Sequence, residues 1–463
     1  MEPRTDELAG QIKALLEAKN YPELKKLLVA TEPQDIALLF EELDESSLPV
    51  LIRLLPQDLA ALSFSEMSPD IQETLIKRFT DAELRAILDE MYIDDTVDVI
   101  EEMPANIVKR ILANSDKESR EQINKILRYP EDSAGSIMTV EYVRLEKNMS
   151  VADAFSRIRR VGTEKETIYT CYVTSSDKTL VGVVTAMDLM LAEPDVLISD
   201  IMNTAIISVT TDDDKETVAQ TMSKYDFLAI PVVDKNNRLV GIVTYDDAMD
   251  VIKEEATEDI EKMAAITPTD KPYLKVGVFE TWLHRIPWLL VLMLSATFTG
   301  AILGKYEGAL AKIIQLSVFV PMLMDTSGNA GGQASVTIIR ALSLGDVVPS
   351  DVFRVLWKEI RVALLCGVSL GIVGFLKAYF IDGMHGIDAV TGTNYINVAL
   401  AVAATLCLTI IVAKTVGCLL PIIIKRLGFD PAVVASPFIT TIVDAISLVV
   451  YFGIATTLIP QLK

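Results

Sequence analysis

Histidine and paired cysteine, the usual ligands of soft metals, are scarce in this 463-residue sequence. It holds two histidines, His284 and His385, and four cysteines, none of them in a CxxC pair. This shortage argues against a soft transition-metal site, which is typically built from imidazole and thiolate, and against a disulfide framework.

Motifs for catalysis and secretion are missing as well. The sequence has no GxxxxGK[ST] P-loop, so we expect no transport driven by nucleotide hydrolysis. Its apolar half offers no nucleophile–base pair, so we predict that the protein is not an enzyme. The polar start MEPRTDELAG lacks the pattern of a cleaved signal peptide, so we expect the long soluble half to stay in the cytoplasm.

Charge divides the chain into two unlike parts. Residues 1–270 hold 28 basic and 54 acidic residues, a net charge of −26, whereas residues 271–463 hold 14 basic and 10 acidic residues. The first part is a strongly acidic soluble region, and the second is apolar and slightly basic. An acidic surface repels nucleic acid and attracts cations, so we expect no nucleic-acid partner.

Two repetitive patterns organise the soluble part. As far as about residue 127, apolar residues recur at helical spacing and Pro or Asp starts each helix, which predicts a superhelical array of short helices. A unit of about sixty residues then occurs twice: TIYTCYVTSSDKTLVGVVTAMDLM returns as FLAIPVVDKNNRLVGIVTYDDAMD, with Gly182 aligned to Gly241. SIMT and DIMN open the two copies, and each copy is predicted to be a small β–α unit.

A long acidic helix and five apolar segments follow. The helix is predicted over 246–270, and each apolar segment reaches the ~18 residues needed to span a bilayer. The segments are residues 287–304, 313–339, 362–381, 398–424 and 431–459. Basic residues lie mainly in the second–third and fourth–fifth connections, which places the N-terminal part inside the cell and the C-terminus outside.

One charge, Asp444, lies near the middle of the last apolar segment, SPFITTIVDAISLVVYF. A charge at the bilayer centre costs roughly 2.5–3.5 kcal/mol, so such a carboxylate usually lines a polar path or pairs with a base. Lys414 in the fourth segment is the obvious base. We favour the path, with Thr441 and Ser447 beside it.

The second segment contains PMLMDTSGNAGGQAS, in which small residues alternate with polar ones. Small residues permit close helix packing, but packing does not explain Asn329, Gln333 and Asp325 in the same stretch. We expect both packing and a polar lining here. Asp325 either caps a broken helix or faces the path.

Hard oxygen ligands of this kind suit Mg²⁺, which is typically held through retained waters by one or two carboxylates. A single Asp per chain offers only one carboxylate to a divalent ion, and a symmetric dimer that brings two copies of Asp444 together would supply a second. The soluble half adds acidic clusters that repel one another unless cations lie between them, a ready ion sensor. Taken singly, however, each cluster is a solvated face.

Several ordered motifs resemble one known family over essentially the whole chain. YPEDSAGSIMT, VGIVTYDDAMDVIKEEATEDI, GNAGGQAS followed by IIRAL, and LGFDPAVVASPFITTIVDAISL are similar to those of the MgtE-type magnesium channels and transporters. The resemblance implies a helical N-terminal domain, a tandem pair of CBS domains, a connecting "plug" helix and a membrane domain of five transmembrane helices, assembled as a homodimer.

The resemblance also assigns residues. It implies a hydrated Mg²⁺ at Asp444, with Gly328 and Asn329 lining the pore. It implies regulatory Mg²⁺ ligands at Asp94, Asp98, Asp214, Glu216, Asp226, Asp247, Asp250, Glu255, Glu258 and Asp259. Asp95 is an alternative to Asp94. Because CBS pairs often bind adenine nucleotides, Asp188 and Thr185 are implied for ATP.

The sequence therefore predicts an all-α N-terminal domain (1–130), an α+β CBS pair (131–198 and 199–252), the acidic connecting helix (246–270) and an all-α membrane domain (271–463). The predicted function is Mg²⁺ uptake across the inner membrane, gated by cytosolic Mg²⁺. Two rivals remain: transport of another divalent cation such as Co²⁺, Mn²⁺ or Ca²⁺, and a membrane-anchored CBS nucleotide sensor without transport.

Overall fold

The computed structural model describes residues 3–269, 271, 273–387, 393–433 and 436–462. The chain forms two compact units, Met1–Ile252 and Lys253–Lys463. The predicted end of the acidic helix at residue 270 falls at a gap in this description, and so do residues 434 and 435, which directly precede the SPFITT motif.

Short helices fill the first part of the first unit, as the sequence predicts. Proline occupies the first or second helical position of several of them, where its missing N–H costs no hydrogen bond. Within the described residues the helices are α1 Pro3–Glu17, α2 Tyr21–Val29, α3 Pro33–Glu41, α4 Leu48–Ile52, α5 Gln57–Ser65, α6 Pro69–Arg78, α7 Asp81–Leu88, α8 Ile93–Glu102, α9 Ala105–Asn114 and α10 Lys117–Ile126.

Alternate helices of this region pack on each other. Helices α1, α3, α5, α7 and α9 form one series of contacts, and α4, α6, α8 and α10 form a second. A continuous core of residues such as Phe40, Phe64 and Leu84 lies between the two series. This two-layer arrangement is that of a helical repeat array, and the predicted all-helical first domain is confirmed.

Two three-stranded sheets follow, one in each copy of the repeat. Their strand orders are β1-β2-β3 and β4-β5-β6, and in each sheet the first pair is parallel and the second antiparallel. The elements are β1 Tyr142–Glu146, α11 Val151–Val161, β2 Thr167–Thr174, β3 Leu180–Thr185, α12 Ala186–Leu191, α13 Ile198–Ile201, β4 Val209–Thr210, α14 Lys215–Tyr225, β5 Ala229–Val233, β6 Leu239–Thr244 and α15 Tyr245–Met263.

The opening motif of each repeat packs on the other repeat. Thr139 of SIMT exchanges backbone hydrogen bonds with Ile242 on β6, and Asn203 of DIMN exchanges them with Val183 on β3. Gly241 and Gly182 make room for this crossing. A methyl group on Gly241 would lie 2.6 Å from the sulfur of Met138 and 2.8 Å from the Thr139 carbonyl oxygen. The aligned glycines of the sequence repeat are thus the points where the two copies cross.

Long helices form the second unit. They are α16 Val278–Lys305, α17 Glu307–Lys312, α18 Gln315–Ser343, α19 Val352–Leu376 with a π-helical turn Lys377–Ile381, α20 Tyr395–Arg426 and α21 Ser436–Leu458. By length and composition, four helical stretches of the described residues are able to cross a membrane: Val278–Lys305, Pro349–Ile381, Tyr395–Arg426 and Pro437–Leu458. The predicted second span corresponds to α18, which is long enough but less apolar than these four.

Helix α18 is less apolar because it is the central helix of this unit. It packs against α20 and α21, and small residues of its polar run, including Ser327, Gly328 and Gly331, are buried in those contacts. Gly331 and Gly417 of α20 meet backbone to backbone, as the packing interpretation of the small residues predicted. Helix α16, by contrast, has no buried residue within its described span.

We predict opposite stability effects for two Gly→Ala changes. Gly241→Ala should lower the free energy of unfolding by about 1–3 kcal/mol, because the new methyl overlaps the crossing segment. Gly10→Ala should raise it by about 0.5–1 kcal/mol, because Gly10 is exposed within α1 and has open space around it. Thermal unfolding of the full chain in detergent measures both. Equal changes in the free energy of unfolding for the two variants would contradict the close approach of the SIMT segment to Gly241.

Candidate functional site

Asp444 on α21 has a carboxylate oxygen, Oδ1, that is buried without a hydrogen-bond partner. Gly328 on α18 lies beside it. A methyl group added to Gly328 would lie 3.4 Å from that oxygen and 2.6 Å from the methyl carbon of Thr440. The glycine therefore lets α18 approach the carboxylate closely, and the structure brings together the two residues that the sequence placed in different segments.

Two neighbouring hydroxyls are committed to helix contacts. Ser447 is buried and donates a 2.8 Å hydrogen bond to the Ser327 hydroxyl on α18. Thr441 donates to the carbonyl oxygen of Pro437 at 3.0 Å. Both residues lie close to Asp444 in sequence; in this single chain the Ser447 hydroxyl joins α21 to α18, and the Thr441 hydroxyl bonds to the backbone of its own helix.

A polar stripe runs along the exposed side of α18. Asp325, Asn329 and Gln333 follow one another at four-residue spacing, and all three are exposed in the single chain. Asp325 is close enough to interact electrostatically with Asp444. The stripe argues that Asp325 faces the same polar region as Asn329 and does not cap a broken helix, since α18 is continuous through it.

Lys414 does not pair with Asp444. Its ammonium group lies 3.8 Å from a carboxylate oxygen of Glu359 on α19, and both side chains are about nine-tenths buried. Lys414, the base that the sequence suggested as a partner for Asp444, therefore pairs with Glu359. Among the described residues, no ion pair forms at Asp444.

A crowded group of acids lies in the first unit. Burial raises the pKa of Asp94 to about 7, assisted by repulsion from Asp95 and Glu141. Burial and repulsion from Asp94 raise the pKa of Asp247 to about 7 as well. Asp247 also accepts a 2.5 Å hydrogen bond from the Thr244 hydroxyl.

Asp98 and Asp95 belong to the same group. Desolvation and repulsion from Asp247 raise the pKa of Asp98 to about 8. The pKa of Asp95 rises to about 7 through burial, Asp247 and Glu66. The structure therefore brings Asp94, Asp98 and Asp247 together, and it includes Asp95 beside Asp94 rather than as a replacement for it.

Other predicted ligands stay apart. Asp214 and Asp226 flank the eleven-residue helix α14 at opposite ends, roughly 18 Å apart along its axis. Asp214 accepts from the Thr217 amide at 3.1 Å, and Asp226 ends the helix in a left-handed conformation, with a φ of 54°. Glu216 accepts from the Gln220 amide at 2.9 Å. Asp250 and Glu255 lie further along α15.

The C-terminal half of α15 is tied to the membrane unit. Lys262 lies 2.7 Å from Asp430, which follows α20, and 2.5 Å from Glu258. Asp259 accepts a 3.0 Å hydrogen bond from Ser343 at the end of α18. Glu258 and Asp259 are among the predicted ligands, whereas Lys262 and Asp430 had no signal in the sequence because their pairing spans 168 residues.

Thr185 and Asp188 bond to each other. The Thr185 amide and hydroxyl donate to Asp188 at 2.9 and 2.6 Å, and the Asp188 amide donates back to the hydroxyl at 3.1 Å. This capping box starts α12. Thr244 and Asp247 occupy the corresponding positions of the second repeat, where Asp247 belongs to the crowded acidic group.

Three family models match consecutive parts of the chain. They are the MgtE intracellular N domain over residues 31–132, the CBS domain over 134–195 and 198–254, and the MgtE divalent cation transporter domain over 320–454. The order of the three agrees with the order of structural regions described above.

Relatives match over nearly the full length. The magnesium transporter MgtE of Thermus thermophilus is 37% identical over 98% of this chain and 99% of its own length. That of Bacillus subtilis is 32% identical over 99% of this chain and 98% of its own length.

Solved structures match the soluble half. The cytosolic domain of the Mg²⁺ channel MgtE in complex with ATP is 37% identical, with a TM-score of 0.50 over 52% of this chain and 99% of that one. The soluble part of a magnesium transporter is 33% identical, with a TM-score of 0.52 over 54% of this chain and 99% of that one. Family models, full-length relatives and fold agree, and the chain belongs to the MgtE family of divalent cation transporters.

Proposed function

We propose that this chain carries Mg²⁺ across the cell membrane along a path that passes Asp444. The observation that carries the proposal is the unpartnered, buried carboxylate oxygen of Asp444 inside an apolar helix. Because Lys414 is matched by Glu359, the charge of Asp444 is left for a mobile cation. MgtE is a transporter family, not an enzyme family, and its members are multi-pass membrane proteins.

Mg²⁺ is the ion that fits these ligands and the relatives' function. The proposed path offers carboxylate and amide oxygens, and Mg²⁺ keeps several of its waters when one or two carboxylates hold it. Asn329 offers an amide on the same exposed stripe as Asp325. Competition of Co²⁺, Mn²⁺ and Ca²⁺ with Mg²⁺ uptake separates this proposal from the rival ions.

The working unit of the proposal is a homodimer. An exposed stripe of Asp325, Asn329 and Gln333 would be costly against lipid, whereas a second copy of α18 across a water-filled path would cover it. Two copies of Asp444 would then face one path, which supplies the second carboxylate that a divalent ion favours. We place the soluble unit in the cytoplasm and the C-terminus outside, as the distribution of basic residues predicts.

Cytosolic Mg²⁺ closes the path in this proposal. Asp94, Asp98 and Asp247 repel one another unless protons or cations neutralise them, so bound Mg²⁺ favours a compact soluble unit. Asp250, Glu255, Glu258, Asp259, Asp214, Glu216 and Asp226 are proposed as further regulatory ligands. The contacts of Lys262 and Asp259 with Asp430 and Ser343 hold the end of α15 against the membrane helices.

Adenine nucleotide is a proposed ligand of the CBS pair. The support is the relative's cytosolic domain, which was solved with ATP. In this chain Asp188 and Thr185 lie at the start of α12, where a ribose hydroxyl would compete for the Asp188 carboxylate with the hydrogen bonds of the capping box.

Asp444→Ala should lower Mg²⁺ uptake into proteoliposomes by at least about tenfold, since the path loses its only carboxylate from α21. Asp346→Ala is the matched control, because Asp346 is an exposed acid in the loop after α18. Normal flux in the Asp444 variant would refute the path, and a nucleotide response without flux in the wild type would favour the sensor rival.

Removing three acids of α15 should leave the path open at high internal Mg²⁺. Asp247→Asn, Asp250→Asn and Glu255→Gln are combined, and the triple variant should keep its basal flux while losing most of its inhibition by internal Mg²⁺. The control combines Glu193→Gln, Asp195→Asn and Asp200→Asn, three exposed acids at the end of the first repeat and the start of the second. Closure at the wild-type Mg²⁺ concentration would exclude these residues from the sensor while leaving Asp444 untouched.

Stability without divalent cations should fall as pH rises from about 4 to about 8. The carboxyls of Asp94, Asp98 and Asp247 have a usual pKa of 3.8, which folding raises to about 7 or 8, so the folded state holds more protons across this window. Deprotonation then removes stability, and saturating Mg²⁺ should reduce the loss. Unfolding midpoints of the full chain, compared with Asp94→Asn/Asp98→Asn/Asp247→Asn, measure the effect. A wild-type midpoint that rises across the window would contradict it.

A further inference from the structure

A buried ion pair joins helices α19 and α20 inside the membrane unit. The Lys414 ammonium group lies 3.8 Å from a carboxylate oxygen of Glu359, and the two side chains are 8% and 12% exposed. Both residues belong to helical stretches that are able to cross a membrane. Glu359 is buried, whereas the bases Lys358 and Arg361 beside it on α19 are exposed. One acid of α19 is therefore directed at one base of the neighbouring helix.

The geometry of this pair does not suit a stabilising role. A separation of 3.8 Å is longer than a hydrogen bond, so the two groups attract each other by charge alone. The attraction between two buried charges offsets their desolvation only when the contact is close and hydrogen-bonded, and apolar residues of similar volume are often at least as stable. Stability therefore does not account for the pair.

Lys414 lies at the same level of the helix bundle as Asp444. A methyl group added to Gly331 of α18 would lie 3.3 Å from the Ala413 carbonyl oxygen on α20 and 3.3 Å from a methyl carbon of Val443 on α21. Ala413 and Val443 directly precede Lys414 and Asp444 in the chain. The two charged residues therefore start from neighbouring backbone positions around one glycine.

An uncompensated ammonium group at this level would oppose a cation at Asp444. The Coulomb energy falls only as the inverse of distance, and buried charges are screened much less than exposed ones. The repulsion is proportional to the charge of the ion, so it is twice as strong for Mg²⁺ as for a monovalent cation. The carboxylate of Glu359, 3.8 Å from the ammonium group, counters this repulsion.

We propose that Glu359 is a positioning residue of the cation path: it holds and neutralises Lys414, so that the negative charge of Asp444 acts on Mg²⁺ without a competing base. The inference rests on the proposed function, because it needs a cation at Asp444. Glu359 does not touch the ion and acts only through Lys414. Removing the acid alone therefore harms the path, whereas removing acid and base together does not.

Mg²⁺ uptake into proteoliposomes, measured against the external Mg²⁺ concentration, tests this charge balance. Glu359→Gln should raise the concentration for half-maximal flux by at least about fivefold, because Lys414 is left uncompensated. The double variant Glu359→Gln/Lys414→Met should return this concentration to within about twofold of the wild-type value, because the base is gone as well. A double variant as impaired as Glu359→Gln would overturn the proposal.

The single variants separate electrostatics from structural damage, which would impair both alike. Lys414→Met should not raise the half-maximal Mg²⁺ concentration, because it removes positive charge from the level of Asp444. A rise equal to that of Glu359→Gln would overturn the proposal. The matched control is Lys358→Gln, which removes an exposed charge next to Glu359 on α19 and should behave as the wild type. An equal rise in this control would make the effect one of any change in α19 and would also overturn the proposal.

Thermal unfolding in detergent shows which variants are folded. If Glu359→Gln does not fold, Lys414→Met and the double variant decide the matter. Both should conduct Mg²⁺ with a half-maximal concentration no more than about twice that of the wild type, because neither contains an uncompensated base. A folded double variant without flux would show that the pair itself is needed and would refute the role assigned to Glu359.

Asp444→Ala distinguishes failure of this inference from failure of the proposed function. Loss of flux in Asp444→Ala, together with an unchanged half-maximal concentration in Glu359→Gln, would refute the role of Glu359 alone. Normal flux in Asp444→Ala, or no Mg²⁺ flux in the wild type, would refute the transport path itself and this inference with it.

Discussion

Carboxylates held away from water without a matching base are the constraint on which both halves of this molecule depend. In the membrane unit the constraint falls on Asp444, and in the soluble unit it falls on Asp94, Asp247 and their neighbours. Leaving one such group charged costs on the order of a few kcal/mol, a large share of the 5–15 kcal/mol that stabilises a domain. In the proposed function, protons or cations supply the neutralisation that these acids need.

The remaining architecture serves to keep these acids close together. Helix α18 has glycines in place of larger apolar side chains at Gly328 and Gly331, which lets it pack closely against α20 and α21. This close packing places the carboxylate of Asp444 near the polar stripe. In the soluble unit, a hydrogen bond from the Thr244 hydroxyl holds Asp247 at the start of α15, close to Asp94 and Asp98 of α8. In both places a small or capping residue determines where a charge lies.

Local patterns in the sequence predicted much of this. Proline spacing identified the short helices, the sixty-residue repeat identified the two sheets, and a lone charge in an apolar run identified Asp444. A hydropathy argument treats every span as facing lipid, so it does not foresee that α18 is central and correspondingly polar.

Pairings across long sequence separations could not be predicted. The partner of Lys414 proved to be Glu359, which lies on a different helix. Asp214 and Asp226, both implied as ligands by the family resemblance, lie at the two ends of helix α14.

The crossing of the two CBS repeats has a mechanical consequence. The segment that leaves the helical domain bonds to the second repeat: Ala134 donates to the Asp213 carbonyl, Gly135 to that of Thr211, and Thr139 pairs with Ile242 on β6. Since β6 continues directly into α15, a pull on this segment reaches that helix across one strand pair, without first travelling through the first repeat. The path by which force reaches α15 through these hydrogen bonds is thus shorter than the path along the chain.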